Sequence, residues 1–496
     1  MKLLVNFLPI LVLLLLNTPP APAQSASLQR FQVKLNALQN DSMARHGLVA
    51  FSIRSVKTGA TIVAINSDKS TAPASTLKLV TTATALAVLG ENFTFETSLE
   101  YDGVLKEGVL QGNLYIRGHG DPTLGCDRFD NYPALPELMK FLATKVKAAG
   151  IKQINGAVVA DASLFEENAL PSTWIWGDIG NYYGAAAYGL NLNENLYRVV
   201  FQPGKTVGSP AKILRTEPAV PGLEFTNLVA TGSAASGDQC YIYGAPYQPV
   251  QYLEGTIPAG VASFPVRGSL PDPPFLCAFS LHQQLKTHAI GIRDAPTTDR
   301  LLRQQKHWPA GKRTVIYTHQ SPPLKAIVER TNFHSINLYA EALLKTIARY
   351  LAPVQNGAIG TTANGTQAVQ DYWKKKGLDM NGFWMKDGSG LSPKNTITAG
   401  QMTEVLRLTA SSAAFYASIP VVGVSGTVKS LAKGTKAVNN VRAKSGSMER
   451  VKSYAGYFTN QAGELMSYAF FINNYDSQGN RIARQMEDIL AAMVEL

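Results

Sequence analysis

The alternation of apolar and polar positions divides the chain into strand-like and helix-like segments. Residues 47–66 alternate apolar and polar side chains around Lys57-Thr58-Gly59, a pattern that predicts a β-hairpin. Residues 77–89 are apolar around nearly the whole helical circumference, and Gly90 stands at the position that commonly ends a helix. We therefore predict a hairpin followed by a helix that is buried inside the protein.

Strand and helix patterns are unevenly distributed over the remaining sequence. From about 195 to 300 the chain is rich in Pro and Gly and has only short strand patterns. The other predicted elements are short strands within 94–118 and at 157–160, helices at 135–149, 321–350 and 366–377, strands at 454–459 and 466–472, and a helix from Arg481. We therefore predict an α/β protein in which a β-rich region is inserted into a more helical domain.

The first residues have the pattern of an export signal. Lys2 precedes an apolar run at 3–16, and Ala21-Pro22-Ala23 offers small residues for cleavage before Gln24. The apolar run is short for a membrane span, so an uncleaved anchor is the less favoured alternative. We expect an exported protein, periplasmic or otherwise extracytoplasmic, without a transmembrane anchor once the signal is removed.

Composition narrows the possible partners. With 45% hydrophobic and 16% charged residues among 496, the chain can form a large core and more than one domain. The formal net charge is +11, but no long Lys/Arg block is present, and export argues against a nucleic-acid partner. A solvated basic surface and attraction to an anionic polymer, such as cell wall or lipid head groups, are equally weighted alternatives.

The cysteines and histidines give no sign of a metal site. Export permits a disulfide, and Cys240–Cys277 is a more plausible pair than any with Cys126 because both lie in the middle region. The seven histidines have no paired spacing, and the chain has no Cys-x-x-Cys. We predict no metal ion and no cofactor.

The stretch Ser75-Thr76-Leu77-Lys78 combines a hydroxyl and an amine at the start of the apolar helix. Residues i and i+3 share a helix face, so Lys78 can reach the Ser75 hydroxyl. A buried lysine that has lost its proton can accept the serine proton and create a nucleophile. The same spacing begins at Ser209 and at Ser430, but those sequences look like a turn and a helix end or loop. We therefore predict acyl-transfer chemistry at Ser75.

Two further short motifs supply the groups that an activated serine needs. Ser335-Ile336-Asn337 opens a predicted helix, and Lys444-Ser445-Gly446 lies in a strand-like segment. The purely structural interpretations are a helix cap for the first and a charged edge strand for the second. Lys57-Thr58-Gly59 competes with the last motif, but it precedes Ser75 and sits in a predicted turn. The order is then Ser-x-x-Lys, Ser-x-Asn and Lys-Ser-Gly.

This order resembles the motif set of penicillin-binding proteins and serine β-lactamases. Ser335 lies 260 positions after Ser75, and Lys444 lies 109 positions after Ser335, a first interval too long for a compact β-lactamase. The chain is therefore similar to the class C low-molecular-mass penicillin-binding proteins, the S13 family of D-alanyl-D-alanine carboxypeptidases and endopeptidases. Segments 120–124, 174–183, 387–392 and 426–427 also match that family.

The resemblance implies a penicilloyl-transferase-like α/β domain, with a five-stranded antiparallel sheet between helices. It also implies two inserted domains, one nested in the other. The predicted limits are 1–23 for the signal peptide, 24–95 and 305–496 for the catalytic domain, 96–120 and 205–304 for a β-rich insertion, and 121–204 for the nested domain.

The resemblance further implies an acyl-enzyme mechanism. Ser75 attacks the carbonyl of the penultimate D-Ala, and Lys78 acts as base with a pKa lowered by burial and by Lys444. Ser335 relays a proton to the leaving D-Ala, while Asn337 and Lys444 position the site.

The implied substrate site surrounds these residues. Backbone N–H groups of Ser75 and Ser447 hold the oxyanion, and Lys444, Ser445 and Ser447 bind the terminal carboxylate beside Gly446. Met448, Asp178 and Tyr183 line a pocket for the stem-peptide side chain. Ser445 stands where Thr is usual, and Pro393 stands where some relatives place an Arg.

The implied partners are peptidoglycan stem peptides ending in D-Ala-D-Ala, with β-lactams as covalent inhibitors. Two other functions fit the same fold. A serine β-lactamase would need a base that activates water for rapid deacylation, and a non-catalytic cell-wall binding protein would form no penicillin adduct.

Overall fold

A computed structural model describes residues 26–307, 311–351, 360–476 and 479–496. The predicted signal peptide, 1–23, lies outside the described residues. The helices are α1 Ala26–Gln39, α2 Lys78–Leu89, α3 Leu135–Ala148, α4 Trp176–Ile179, α5 Pro273–Thr287, α6 Asp299–Gln304, α7 Leu324–His334, α8 Asn337–Leu351, α9 Thr362–Lys375, α10 Ala399–Thr409, α11 Ala413–Ala417 and α12 Gly479–Met493.

The strands belong to several sheets. They are β1 Leu48–Ser55, β2 Thr61–Ile65, β3 Glu96–Tyr101, β4 Val104–Lys106, β5 Val109–Gln111, β6 Leu114–Gly118, β7 Gln153–Ile154, β8 Val158–Asp161, β9 Leu196–Gln202, β10 Lys212–Glu217, β11 Glu224–Asn227, β12 Ala230–Gly232, β13 Gln239–Tyr243, β14 Val250–Pro258, β15 Phe264–Ser269, β16 Gly291–Ile292, β17 Thr297–Thr298, β18 Thr314–Gln320, β19 Arg442–Met448, β20 Val451–Thr459 and β21 Leu465–Asn473. Short 3₁₀ turns include Ala74–Leu77 and Tyr182–Gly184.

A five-stranded antiparallel sheet joins the two ends of the chain. Its order is β19-β20-β21-β1-β2, so the predicted hairpin β1–β2 pairs with strands that lie some 400 positions later. Successive side chains of a strand point to opposite faces. Phe470 therefore lies in the same core as Phe31 of α1, while Phe471 lies in the core around α2 and α8. Helices cover both faces of the sheet, as the resemblance implied.

The segment between α2 and α7 forms the remaining sheets. One has the order β17-β8-β6-β3-β18, and α3 and α5 pack against it through a core that includes Ile116, Leu142 and Leu281. Smaller sheets have the orders β10-β9-β15 and β11-β14-β12, with β13 pairing to β14, and another is β16-β7-β5-β4. The predicted domain limits stay a prediction.

The middle of the chain contains a helix that the sequence patterns missed. Helix α5 lies within the region expected to be β-rich. Its start is fixed locally, because Asp272 accepts a hydrogen bond from the backbone N–H of Phe275 and prolines occupy the first two helical positions. A Pro-rich composition was here the sign of a helix N-terminus rather than of a loop.

The permitted disulfide between Cys240 and Cys277 is not formed. Cys240 lies on β13 and Cys277 on α5, and both are buried, unbonded thiols in the same apolar core. Cys126 is also free and buried. Each behaves as a small hydrophobic side chain. Among the described helices, none has the length and apolar content needed to cross a bilayer.

Candidate active site

Ser75 lies in the 3₁₀ turn that leads into α2. Ala74 before it has a φ of 46°, a left-handed conformation that is costly for a residue with a Cβ. Two contacts hold this strained turn: the Ser453 hydroxyl donates to the Pro73 carbonyl at 2.7 Å, and Gly390 packs so closely that a Cβ there would overlap the Ala74 carbonyl oxygen. The nucleophile candidate is thus fixed by residues from the distant C-terminal part of the chain.

Lys78 is fully buried and points at the serine. Its ammonium group donates to Ser75 Oγ at 2.8 Å and to the Ser389 carbonyl at 2.7 Å. Burial lowers the pKa of Lys78 from 10.5 to about 7, although the carboxylates of Asp387 and Glu341 oppose this effect. An amine with this pKa is half deprotonated near neutral pH, as a general base requires.

The two buried lysines of the site repel each other's charge. Lys444 was expected to help lower the pKa of Lys78, but burial is the dominant cause. The pKa of Lys444 itself lies well below 10.5, first because the side chain is buried and second because Lys78 repels its charge. The two buried amines therefore interact, and a proton on one disfavours a proton on the other.

Glu341 holds the carbonyl that Lys78 contacts. Its carboxylate accepts hydrogen bonds from the backbone N–H of Gly388 at 3.0 Å and of Ser389 at 2.8 Å. Burial, aided by the nearby Asp387, raises the pKa of Glu341 to about 7. The side chain thereby fixes the loop whose Ser389 carbonyl accepts a hydrogen bond from the Lys78 amine.

Asp387 organises the same loop from the other side. It accepts hydrogen bonds from the backbone N–H groups of Gly390 at 2.8 Å and Ser392 at 2.6 Å. It also accepts from the side chains of Asn395 and Trp174, both at 2.8 Å. Trp174 lies in the region predicted to be the nested domain, so this bond ties that region to the catalytic loop.

Ser335 and Lys444 meet although they are 109 positions apart. The Lys444 ammonium donates to Ser335 Oγ at 2.9 Å and to the Ser445 carbonyl at 2.7 Å. Ser335 has a φ of 57° and stands between α7 and α8, so it ends one helix rather than capping the next. This kink turns its hydroxyl toward the sheet edge.

The third motif lies on the edge strand β19, which packs against the turn containing Ser75. A Cβ at Gly446 would lie only 2.9 Å from the Ser75 backbone nitrogen, so the absence of a side chain permits the close approach. The hydroxyls of Ser445 and Thr427 are 2.7 Å apart. Ser447 is exposed, and Met448 ends the strand half-buried. The edge of β19 thus remains open for a ligand.

Asn337 connects the Ser75–Lys78 centre to the pocket that was predicted for the stem-peptide side chain. Its amide donates to the Tyr183 carbonyl at 2.7 Å. The Tyr183 hydroxyl hydrogen-bonds to Asp178, and burial raises the pKa of that carboxyl while the hydrogen bond lowers it. Asp178 and Tyr183 therefore form one unit beside the three motifs.

The model of the D-Ala-D-Ala carboxypeptidase 3 (S13) family matches residues 31–493. The chain belongs to this family. The D-alanyl-D-alanine carboxypeptidase DacB of Haemophilus influenzae is 27% identical over 437 residues, covering 86% of each protein. The D-alanyl-D-alanine carboxypeptidase of an Actinomadura species is 27% identical over 490 residues, covering 95% of this chain and 86% of the relative.

A solved structure agrees with the fold. Penicillin binding protein 4 of Haemophilus influenzae superposes with a TM-score of 0.77 at 22% identity, covering 95% of this S13 chain and 99% of that protein. The predicted family, the carboxypeptidase class and the penicilloyl-transferase-like fold are confirmed. The roles of individual residues stay predictions.

Sequence analysis had assigned no role to three residues that hold this S13 site in place: Glu341, Asp387 and Thr427. Segments 387–392 and 426–427 matched the family, but their contacts join parts of the chain that only folding brings together. A sequence signal for Glu341 did exist, since it is a lone carboxylate among apolar residues of α8. Such a residue is buried only when it has hydrogen-bond partners.

Proposed function

We propose that this protein is an exported serine D-Ala-D-Ala carboxypeptidase that trims peptidoglycan stem peptides through an acyl-enzyme on Ser75. The proposal rests chiefly on one contact: the buried Lys78 amine lies 2.8 Å from Ser75 Oγ and has a pKa of about 7. Membership of the S13 family supports the same substrate class.

In the first step, Ser75 Oγ attacks the carbonyl carbon of the penultimate D-Ala, and its proton passes to the neutral Lys78 amine. The negative charge that develops on the carbonyl oxygen is held by backbone N–H groups of Ser75 and Ser447. The close packing of Gly446 against the Ser75 nitrogen supports this arrangement, because it brings the two backbones together.

In the second step, the C–N bond breaks and the leaving D-Ala amine takes a proton through the Ser335 hydroxyl. The proton is the one that Lys78 took from Ser75, and the 2.9 Å contact from Lys444 orients the Ser335 hydroxyl for this relay, so that Lys444 keeps its charge. Water then attacks the ester carbonyl and gives a proton to the neutral Lys78 amine, which returns it to Ser75 Oγ as the ester bond breaks. A cross-linking amine can leave in place of D-Ala, so the same steps make the enzyme a DD-endopeptidase.

Substrate recognition uses charge and shape. The hydroxyls of Ser445 and Ser447, with the Lys444 ammonium, bind the terminal carboxylate at the open edge of β19. Asn337 aligns the substrate backbone, and Asp178, Tyr183 and Met448 line the pocket for the stem-peptide side chain. A positively charged side chain in that pocket would pair with Asp178.

The substrate also accounts for the predicted location. Peptidoglycan is assembled outside the cytoplasmic membrane, where an export signal would deliver this protein. β-Lactams should acylate Ser75 because their ring amide presents a similar carbonyl; a β-lactam complex of the Haemophilus influenzae penicillin binding protein 4 superposes on this fold.

Covalent labelling tests the proposal directly. Wild-type protein should form an adduct with fluorescent penicillin and release D-Ala from a pentapeptide, and Ser75→Ala should abolish both. Ser430→Ala is the matched control, because Ser430 belongs to another Ser-x-x-Lys spacing but is exposed. Labelling that survives in Ser75→Ala would exclude the assigned nucleophile.

Product analysis separates the two peptidase activities. Monomeric and cross-linked muropeptides are digested, and the masses of the products are measured. Loss of the cross-linked species in a Ser75-dependent manner would support endopeptidase action, whereas its persistence would restrict the enzyme to carboxypeptidase action.

A further inference from the structure

A row of exposed aromatic side chains lies beside the candidate active site. Trp176 is 56% exposed, Tyr241 48% and Tyr252 39%. The ring centroids of Trp176 and Tyr243 are 6.2 Å apart, and those of Tyr243 and Tyr252 are 6.3 Å apart. We name Trp176, Tyr241, Tyr243 and Tyr252 the aromatic platform. Exposed aromatic rings in a contiguous row indicate a binding surface.

The platform is part of a sheet, so its rings have fixed positions. Tyr241 and Tyr243 alternate along β13 with the buried Cys240 and Ile242. Tyr243 is the register partner of Tyr252 on the neighbouring strand β14. Alternation places the inner residues in the core and leaves the tyrosines on the outer face. Little conformational entropy is therefore lost when a ligand binds to them.

The platform is continuous with the proposed peptide site. The backbone N–H of Ile242, which lies between Tyr241 and Tyr243 on β13, donates to the side chain of Asn181 at 3.1 Å, two positions before Tyr183. The carbonyl of Tyr183 accepts the hydrogen bond from Asn337 of the catalytic centre. The strand that carries Tyr241 and Tyr243 is thus bonded to the segment that carries Asp178 and Tyr183, which places the platform next to the proposed peptide site.

We propose that the aromatic platform binds the glycan strand to which the stem peptide is attached. This inference rests on the proposed function, because a stem peptide held at Ser75 carries its acetylated amino sugars on the same covalent chain. Pyranose rings present apolar C–H faces that pack on aromatic rings, while their hydroxyl and amide groups hydrogen-bond to polar groups at the ring edges. Tyr243, whose hydroxyl bonds to Glu254, supplies both kinds of contact.

The test compares substrates with and without sugar, using the full-length protein. D-Ala release is measured from a free pentapeptide and from the same pentapeptide attached to its disaccharide. In the double variant Tyr243→Ala/Tyr252→Ala, the KM for the disaccharide substrate should rise about tenfold, which corresponds to about 1.4 kcal/mol. The KM for the free peptide should not change. Tyr243→Phe/Tyr252→Phe keeps the rings and should retain most of the binding.

Binding of stem-free sugar gives a second measurement. A β-1,4-linked N-acetylglucosamine hexamer should bind the wild type in calorimetry and lose affinity in the double alanine variant. Trp384→Ala is the control, since Trp384 is also exposed, at 61%, but lies beside Lys386 outside the platform. Penicillin labelling checks that each variant is folded.

Several outcomes would overturn the inference. If penicillin labels Ser75 normally but the two peptide substrates respond equally to the double variant, the platform does not bind sugar and the proposed function still stands. Loss of hexamer binding in Trp384→Ala to the same extent would also refute it. If the platform variants instead dissociate a dimer, the occupant is a second copy of the chain. Failure of wild-type labelling would refute the proposed function itself.

Discussion

Acylation of Ser75 should accelerate with pH around a midpoint of about 7, because only the neutral Lys78 amine can accept the serine proton. Burial lowers the pKa of Lys78 from 10.5 to about 7, a change equivalent to about 5 kcal/mol between the two protonation states. At pH 7 about half of the buried amine is neutral, compared with roughly one molecule in 3,000 for an ordinary lysine. At pH 7, burial thus makes the neutral amine about a thousandfold more abundant than in an exposed lysine.

The assay is the second-order rate constant for acylation by a penicillin between pH 5.5 and 9. The rate should rise about tenfold per pH unit well below the midpoint and level off above it. Lys78→Arg keeps a cation in place but cannot lose its proton, so the rate should fall by about 10²–10⁴. A rate independent of pH, a midpoint near 10, or an active Lys78→Arg variant would refute the assignment of Lys78 as base.

Other consequences of the structure can be measured separately. Glu341→Gln removes an anion that raises the pKa of Lys78, so the midpoint of the acylation profile should move to lower pH; an upward move would contradict this electrostatic role. Gly446→Ala should reduce acylation at least about tenfold, because a Cβ cannot fit beside the Ser75 turn, and an unchanged rate would show that β19 can shift. Reductant should leave the thermal midpoint unchanged, since Cys240 and Cys277 are free; a lower midpoint would indicate a disulfide.

Local sequence was sufficient for the elements near Ser75. The alternation at 47–66 corresponds to the hairpin β1–β2, and the apolar run ending at Gly90 corresponds to α2. Both depend on periodicity and turn residues, which act over a few positions. The same reasoning failed for α5, because the Pro-Pro that suggested a loop occupies the first positions of a helix.

The motifs and their order were enough to identify the family, since the spacing of short reactive segments is a property of the linear chain. The contacts that tune those segments are not. Burial sets the pKa of Lys78, Glu341 and Asp387 hold the Ser389 loop, and β13 and β14 place the aromatic platform beside the cleft. Dielectric environment and close packing arise only when distant parts of the chain meet. The sequence therefore determined which chemistry was available, and the tertiary structure decided how each group is charged and positioned.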